Sequence, residues 1–116
     1  YRYAKERVQS GRPIFDHQNI KLKLFKMYKM VESARSLARR TALHNAVNAP
    51  AAPPAVASKV LSTETAFEVA SEAIQIFGGN GLSKEYCIEK IFRDARASMI
   101  EDGVNESLAL AAMEYL

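Results

Sequence analysis

From Asp16 to Asn45, apolar residues recur every three or four positions: Ile20, Leu24, Met27, Val31, Ala34, Ala38 and Ala42. That spacing puts all of them on one stripe of a long helix, because a helix turns once in about 3.6 residues. Asp16 is a plausible N-cap, and Lys21, Lys23, Lys26, Lys29, Arg35 and Arg39 fall mostly on the other faces. A second stripe, Val56, Val60, Phe67, Ala70, Ile74 and Phe77, predicts a third helix of similar length after the linker "NAPAAPPA". Pro50, Pro53 and Pro54 end one helix and can open the next, since proline is tolerated in a first turn. Glu64, Glu68 and Glu72, at i, i+4 spacing on another face, read as a solvated acidic edge.

The remaining segments are shorter. Tyr1 to about Gln9 reads as a charged helical tail, stopped at "SGRP" by Gly11 and Pro13. "GGNGLS" ends the third helix with residues that tolerate left-handed backbone angles, and Ser83 is a candidate cap for a fourth helix. There Tyr86, Ile88, Ile91, Phe92 and Ala95 face inward, with Glu89 and Lys90 outward. A fifth helix runs through "NESLALAAMEYL". No segment alternates as a strand should. The expected fold is all-α, an antiparallel up-and-down four-helix bundle with a short additional N-terminal helix end, forming one domain over residues 1 to 116.

Composition narrows the function. With 116 residues, 48% hydrophobic and 25% charged, the chain can bury a core and is not a disordered tail. Its net charge of +3 is spread along the chain among acids, which gives a nucleic-acid role little support. Cys87 is the only cysteine, so there is no internal disulfide and no spaced Cys/His set for zinc. No apolar run approaches the ~20 residues of a membrane helix, and the start lacks a signal-peptide core. An intracellular protein fits best, and the abrupt start suggests a piece of a longer protein.

Three motifs carry more. "YAKERVQSGRPIFDHQ" at 3 to 18, "QIFGGNGLSKEYCIEKIFRDAR" at 75 to 96 and "IEDGVNE" at 100 to 106 together resemble the C-terminal helical domain of acyl-CoA dehydrogenases, over essentially the whole chain. The resemblance implies a flavoenzyme that oxidises the α,β carbon–carbon bond of an acyl-CoA thioester. In that family a carboxylate removes the α proton while the β hydrogen leaves as hydride to FAD, and electrons usually pass on to an electron-transfer flavoprotein. It also implies a homo-oligomer, tetramer or dimer, whose sites are shared between domains and subunits.

Carried over residue by residue, Arg7, Gln9 and Ser10 match a segment that reaches the FAD of a neighbouring subunit. A guanidinium at Arg7 suits a diphosphate oxygen because it forms paired, charge-assisted bonds. Ser10 departs from the family, where phenylalanine is usual. Ile14, His17 and Gln18 match positions near the adenine side, and Gln75, Gly78 and Gly79 match a turn that lets backbone approach the diphosphate. Without the resemblance, Arg7 is a solvated surface residue, His17 a neighbour of a helix cap, and "GGNG" a helix C-cap.

The acidic turn is the chemical question. The family's usual order is an aromatic residue, the glutamate base, glycine and threonine; here the matching residues are Glu101, Asp102, Gly103 and Val104. The resemblance therefore makes Asp102 the base and sets Glu101 and Gly103 beside the substrate. Aspartate is shorter by roughly 1 Å, a displacement that can cost on the order of 100-fold unless the pocket is reshaped. A base on the preceding helix, Glu101 as base, and Asp102 as a mere cap of the last helix remain open. Val104 removes a threonine hydroxyl that commonly serves the flavin. Glu106 falls where a polar residue often touches the cofactor, and its charge there would lower the flavin potential. Two other functions stay in view: an enoyl-CoA reductase of the same fold, and a non-catalytic helical interaction module that kept the scaffold.

Overall fold

The computed structural model describes all residues from Tyr1 to Leu116. Five helices follow one another: α1 (Arg2–Glu6), α2 (Gln18–Val47), α3 (Ala52–Phe77), α4 (Ile88–Ser98) and α5 (Asn105–Met113). The all-α architecture expected from the two long stripes is present, and no helix is long and apolar enough to cross a membrane. The molecule is elongated, 56 × 23 × 20 Å, because α2 and α3 set its long dimension.

The two long helices pair antiparallel, as the descending partners Lys23 with Glu72, Lys26 with Glu68 and Thr41 with Pro54 demonstrate. The buried residues of the two helices are Ala34 and Thr41 of α2 and Thr65 and Ala70 of α3, all small side chains. The stripe of α2 holds with one change: Thr41 is buried where Ala42 was expected, and Ala42 is exposed. Thr41 offsets its polarity by donating its hydroxyl to the Pro54 carbonyl at 3.3 Å. The expected acidic edge is half corrected. Glu64 is exposed, but Glu68 and Glu72 pair with Lys26 and Lys23 across the seam. Each pair is partly solvated, so solvent screens much of its attraction. Glu68 raises the Lys26 pKa above the usual lysine value, chiefly through the hydrogen bond between them.

α3 is the hub against which α2, α4 and α5 all pack. Phe67 meets Phe92 of α4 with ring centroids 5.0 Å apart, beside buried Ala70 and Ala95. Pro53 and Pro54 occupy the opening turn of α3, as proline's fixed φ favours.

Three local expectations change. "SGRP" is a hairpin turn: β1 (Val8–Gln9) pairs antiparallel with β2 (Arg12–Pro13), and Ser10 and Gly11 between them have φ of 52° and 75°. Two successive left-handed residues match the twist of a tight hairpin. The N-cap of α2 is His17 rather than Asp16. Ser83 does not cap α4; its Oγ accepts the Glu85 N–H at 3.2 Å in a local turn, and the helix starts at Ile88. Tyr86 therefore precedes α4, and Ile91 is exposed.

Candidate functional site

α1, the hairpin, the start of α2 and the end of α3 enclose a cavity of about 690 Å³. It is built from two stretches far apart in the sequence, 3 to 23 and 75 to 80. Tyr3 stacks on Phe77 at 3.9 Å with Tyr86 edge-on, and its hydroxyl donates to the Phe77 carbonyl at 3.2 Å and accepts from Asn80 at 3.0 Å. That cluster fixes α1 against the glycine turn. After Phe77 the chain enters a 3-10 turn over Gly78–Leu82, where Gly78 has φ 61°. Gly81 is buried, and a Cβ there would lie 2.9 Å from the Ile74 Cα. Gly79 has nothing within 4 Å of an added Cβ, so it opens on free space.

Of the residues singled out in the sequence, Arg7, Gln9, Ser10, Ile14, His17, Gln75, Gly78 and Gly79 all line this cavity. Gln18 does not. Tyr3, Lys23, Phe77 and Asn80 also line it and were not foreseen as site residues. Lys23 follows Asn19 and Ile20, which also line the cavity, at i+4 and i+3 on α2, but no motif in the sequence marks it. His17 braces the hairpin as well: Nδ1 lies 3.2 Å from the Arg12 guanidinium and Nε2 3.3 Å from the Gln9 carbonyl. A neutral ring protonated on Nε2 makes both bonds at once.

The wall chemistry is one-sided. Arg7 and Lys23 bring positive charge, and no aspartate or glutamate lines the cavity. Lys23 is already paired with Glu72, whereas Arg7 is exposed and in no ion pair. Ile14 and Phe77 supply apolar surface, and the open backbone at Gly79 leaves room for an oxygen to approach. A cation, a glycine turn and flat apolar walls are what an extended group with a diphosphate and an aromatic ring needs.

The acidic turn lies elsewhere. Lys59 of α3 donates to the Gly103 carbonyl at 2.8 Å, whereas Gln75 of the same helix faces the cavity. At about 1.5 Å per residue, those positions are roughly 24 Å apart along α3. Glu101, Asp102, Gly103, Val104 and Glu106 are all exposed. Asp102 does not cap α5: the N-cap position is Val104, and Asp102 has φ 54°.

Comparison with known proteins identifies the fold. A profile of the family described as "Acyl-CoA dehydrogenase, C-terminal domain" matches residues 1–115. An acyl-CoA dehydrogenase of Bacillus subtilis is 40% identical over 115 residues, 98% of this chain and 30% of its own length. A 3-(aryl)acrylate reductase of Clostridium sporogenes is 35% identical over 105 residues, 90% of this chain and 28% of its own. The structure of butyryl-CoA dehydrogenase from Megasphaera elsdenii superposes with a TM-score of 0.92 at 34% identity, covering 97% of this chain and 30% of that one. The chain thus spans less than a third of the length of these relatives. With its profile match running from end to end, the chain belongs to the acyl-CoA dehydrogenase C-terminal domain family.

Proposed function

We propose that this chain is the C-terminal helical part of an FAD-dependent acyl-CoA dehydrogenase, in which it grips flavin and contributes the base. The observation that carries the reading is the acid-free cavity, where Arg7, the open Gly78–Gly79 turn and apolar Ile14 and Phe77 converge. Arg7 neutralises a diphosphate oxygen, Gly79 admits it to the backbone, and Gln9, Ser10, His17 and Gln75 offer hydrogen bonds around it. Gln18, outside the cavity, drops to a neighbouring role. When bound, the flavin supplies the hydride acceptor that no side chain here can replace.

The α proton of the thioester moves to a carboxylate oxygen of Asp102, whose exposed turn leaves it free to face a substrate held by other parts of the protein. Glu101 and Gly103 flank that substrate, while Val104 and Glu106 border the flavin at this end. The separation of turn and cavity supports two different flavins being served by one chain, its own through the turn and a neighbouring subunit's through the cavity. Exposed Leu22, Phe25 and Tyr28 on α2 and Leu110 and Met113 on α5 support burial by further domains and copies, hence a dimer or tetramer. An electron-transfer flavoprotein is the expected acceptor, and an intracellular location, bacterial cytoplasm or mitochondrial matrix, goes with that chemistry.

A second reading has one specific support. The likeness to a 3-(aryl)acrylate reductase keeps enoyl-CoA reduction open, since the same groups serve both directions. The test is purification of the full-length protein, measurement of bound flavin, and assay with saturated acyl-CoA plus an electron acceptor beside enoyl-CoA plus a donor. Flavin with acyl-CoA oxidation supports the first reading. Flavin with enoyl-CoA reduction alone replaces it with the second, and a protein without flavin leaves a helical interaction module.

A further inference from the structure

The turn that carries Asp102 is conformationally expensive. Asp102 and Gly103 are both left-handed, at φ 54° and 105°, and for a residue with a Cβ that costs roughly 1 to 2 kcal/mol. Something must hold it. One tie is backbone: the Asn105 N–H donates to the Met99 carbonyl at 3.1 Å and closes the loop. The other comes from α3.

Lys59 donates its ammonium to the Gly103 carbonyl at 2.8 Å and to Asn105 Oδ1 at 2.6 Å. Asn105 is buried, and its Nδ2 donates to Thr63 Oγ1 at 2.9 Å, while the Thr63 hydroxyl donates to the Lys59 carbonyl at 3.0 Å. Asn105 at the start of α5 is thus tied to two residues one turn apart on α3, and Thr63 closes the circuit on the Lys59 backbone. Lys59 is in no ion pair, so its charge is directed at two neutral oxygens just after Asp102 in the chain. An ammonium gripping both oxygens fixes the peptide after Gly103 relative to a rigid helix, and with it the direction in which the preceding Asp102 side chain leaves the backbone.

We propose that Lys59 is the positioning residue for the Asp102 carboxylate in the dehydrogenation step, acting through the Gly103 carbonyl and Asn105; this rests on the reading of Asp102 as the base. Without the grip the turn keeps its backbone tie but loses its fixed bearing on α3. A carboxylate displaced by about 1 Å can lose on the order of 100-fold in rate.

The test is anaerobic stopped-flow reduction of the full-length holoenzyme by saturating acyl-CoA, comparing Lys59→Met, Lys59→Arg, Asp102→Asn, Asp102→Glu and Lys59→Met with Asp102→Glu. K59M is expected to lower the reduction rate about 10- to 100-fold with substrate affinity and flavin content kept and a modest fall in Tm from the two lost hydrogen bonds, and K59R to recover part of the rate. Because Asp102→Glu already moves the carboxylate, the loss from K59M shrinks in that background. If K59M does not accumulate as holoenzyme, Lys59→Arg carries the same cycle. A K59M rate within about twofold of wild type, beside an inactive D102N, overturns the positioning role and leaves the base reading standing. An equal fold-loss in both backgrounds, or a loss accompanied by flavin release, also overturns it by making Lys59 structural. Wild-type reduction by D102N removes the base reading itself and the positioning role with it.

Discussion

Three glycines within four residues of the turn after α3 separate folding from cofactor binding when each is changed to alanine. Gly81→Ala puts a Cβ 2.9 Å from the Ile74 Cα and 3.0 Å from the Ile74 carbonyl oxygen, backbone atoms that cannot swing aside. Overpacking of that kind costs about 1 to 3 kcal/mol. Gly78→Ala meets no atom within 4 Å but must hold φ 61° with ψ −141°, backbone that side chains with a Cβ rarely adopt, at a cost of about 1 to 3 kcal/mol. Gly79→Ala has neither problem: nothing lies within 4 Å and its φ is not left-handed. Its stability stays level or rises by up to about 1 kcal/mol, because alanine narrows the unfolded ensemble. Its cofactor affinity falls, since the methyl occupies the space through which a diphosphate oxygen approaches the backbone. Losing one hydrogen bond to a charged group costs about 1.5 to 3 kcal/mol, which weakens FAD binding roughly 10- to 100-fold. Urea unfolding of the 116-residue chain followed by circular dichroism measures the first effect, and FAD titration of the full-length apoprotein measures the second. A Gly79→Ala protein that binds FAD like wild type, or one destabilised as much as Gly81→Ala, refutes the assignment of this turn as a cradle.

Other outcomes follow from the same geometry. Arg7→Gln leaves unfolding within about 0.5 kcal/mol of wild type, because Arg7 is exposed and unpaired, yet it weakens FAD binding about 10-fold or more in a fluorescence titration. Tyr3→Phe keeps the stack on Phe77 but loses the hydroxyl's bonds to the Phe77 carbonyl and Asn80, lowering urea stability by about 1 kcal/mol. The Lys26–Glu68 pair raises the folded-state lysine pKa, so its contribution is complete below 10.5 and is lost as pH rises through the raised value. Lys26→Met accordingly narrows the stability gap to wild type only in the strongly alkaline range of a pH-dependent melting series.

How much could be read from the residues depended on the length of the feature. α2 and α3 repeat their stripes over many turns, so the pattern averages out local noise, and even there Thr41 displaced Ala42 because a hydroxyl can be buried when a carbonyl is in reach. The hairpin escaped detection because strands of two residues cannot display alternation. Ser83 looked like a cap, but it satisfies a nearer N–H, and no sequence rule separates those two uses of one hydroxyl. Glu68 and Glu72 looked solvated because their partners sit on another helix. The cavity joins residues from 3 to 80, and only resemblance brought most of them together beforehand. Lys59 gave no signal, since a lysine within a helix reads as surface until its acceptors are seen.

The central claim is that the parent flavoprotein dehydrogenates an acyl-CoA with Asp102 as the base. Anaerobic titration of the intact protein with linear and cyclic saturated acyl-CoA thioesters, following the oxidised flavin band, tests it most directly beside Asp102→Asn. The account predicts bleaching by at least one thioester and its loss in the variant with flavin still bound. Bleaching that survives the substitution, or a flavin that no saturated thioester bleaches, would contradict it.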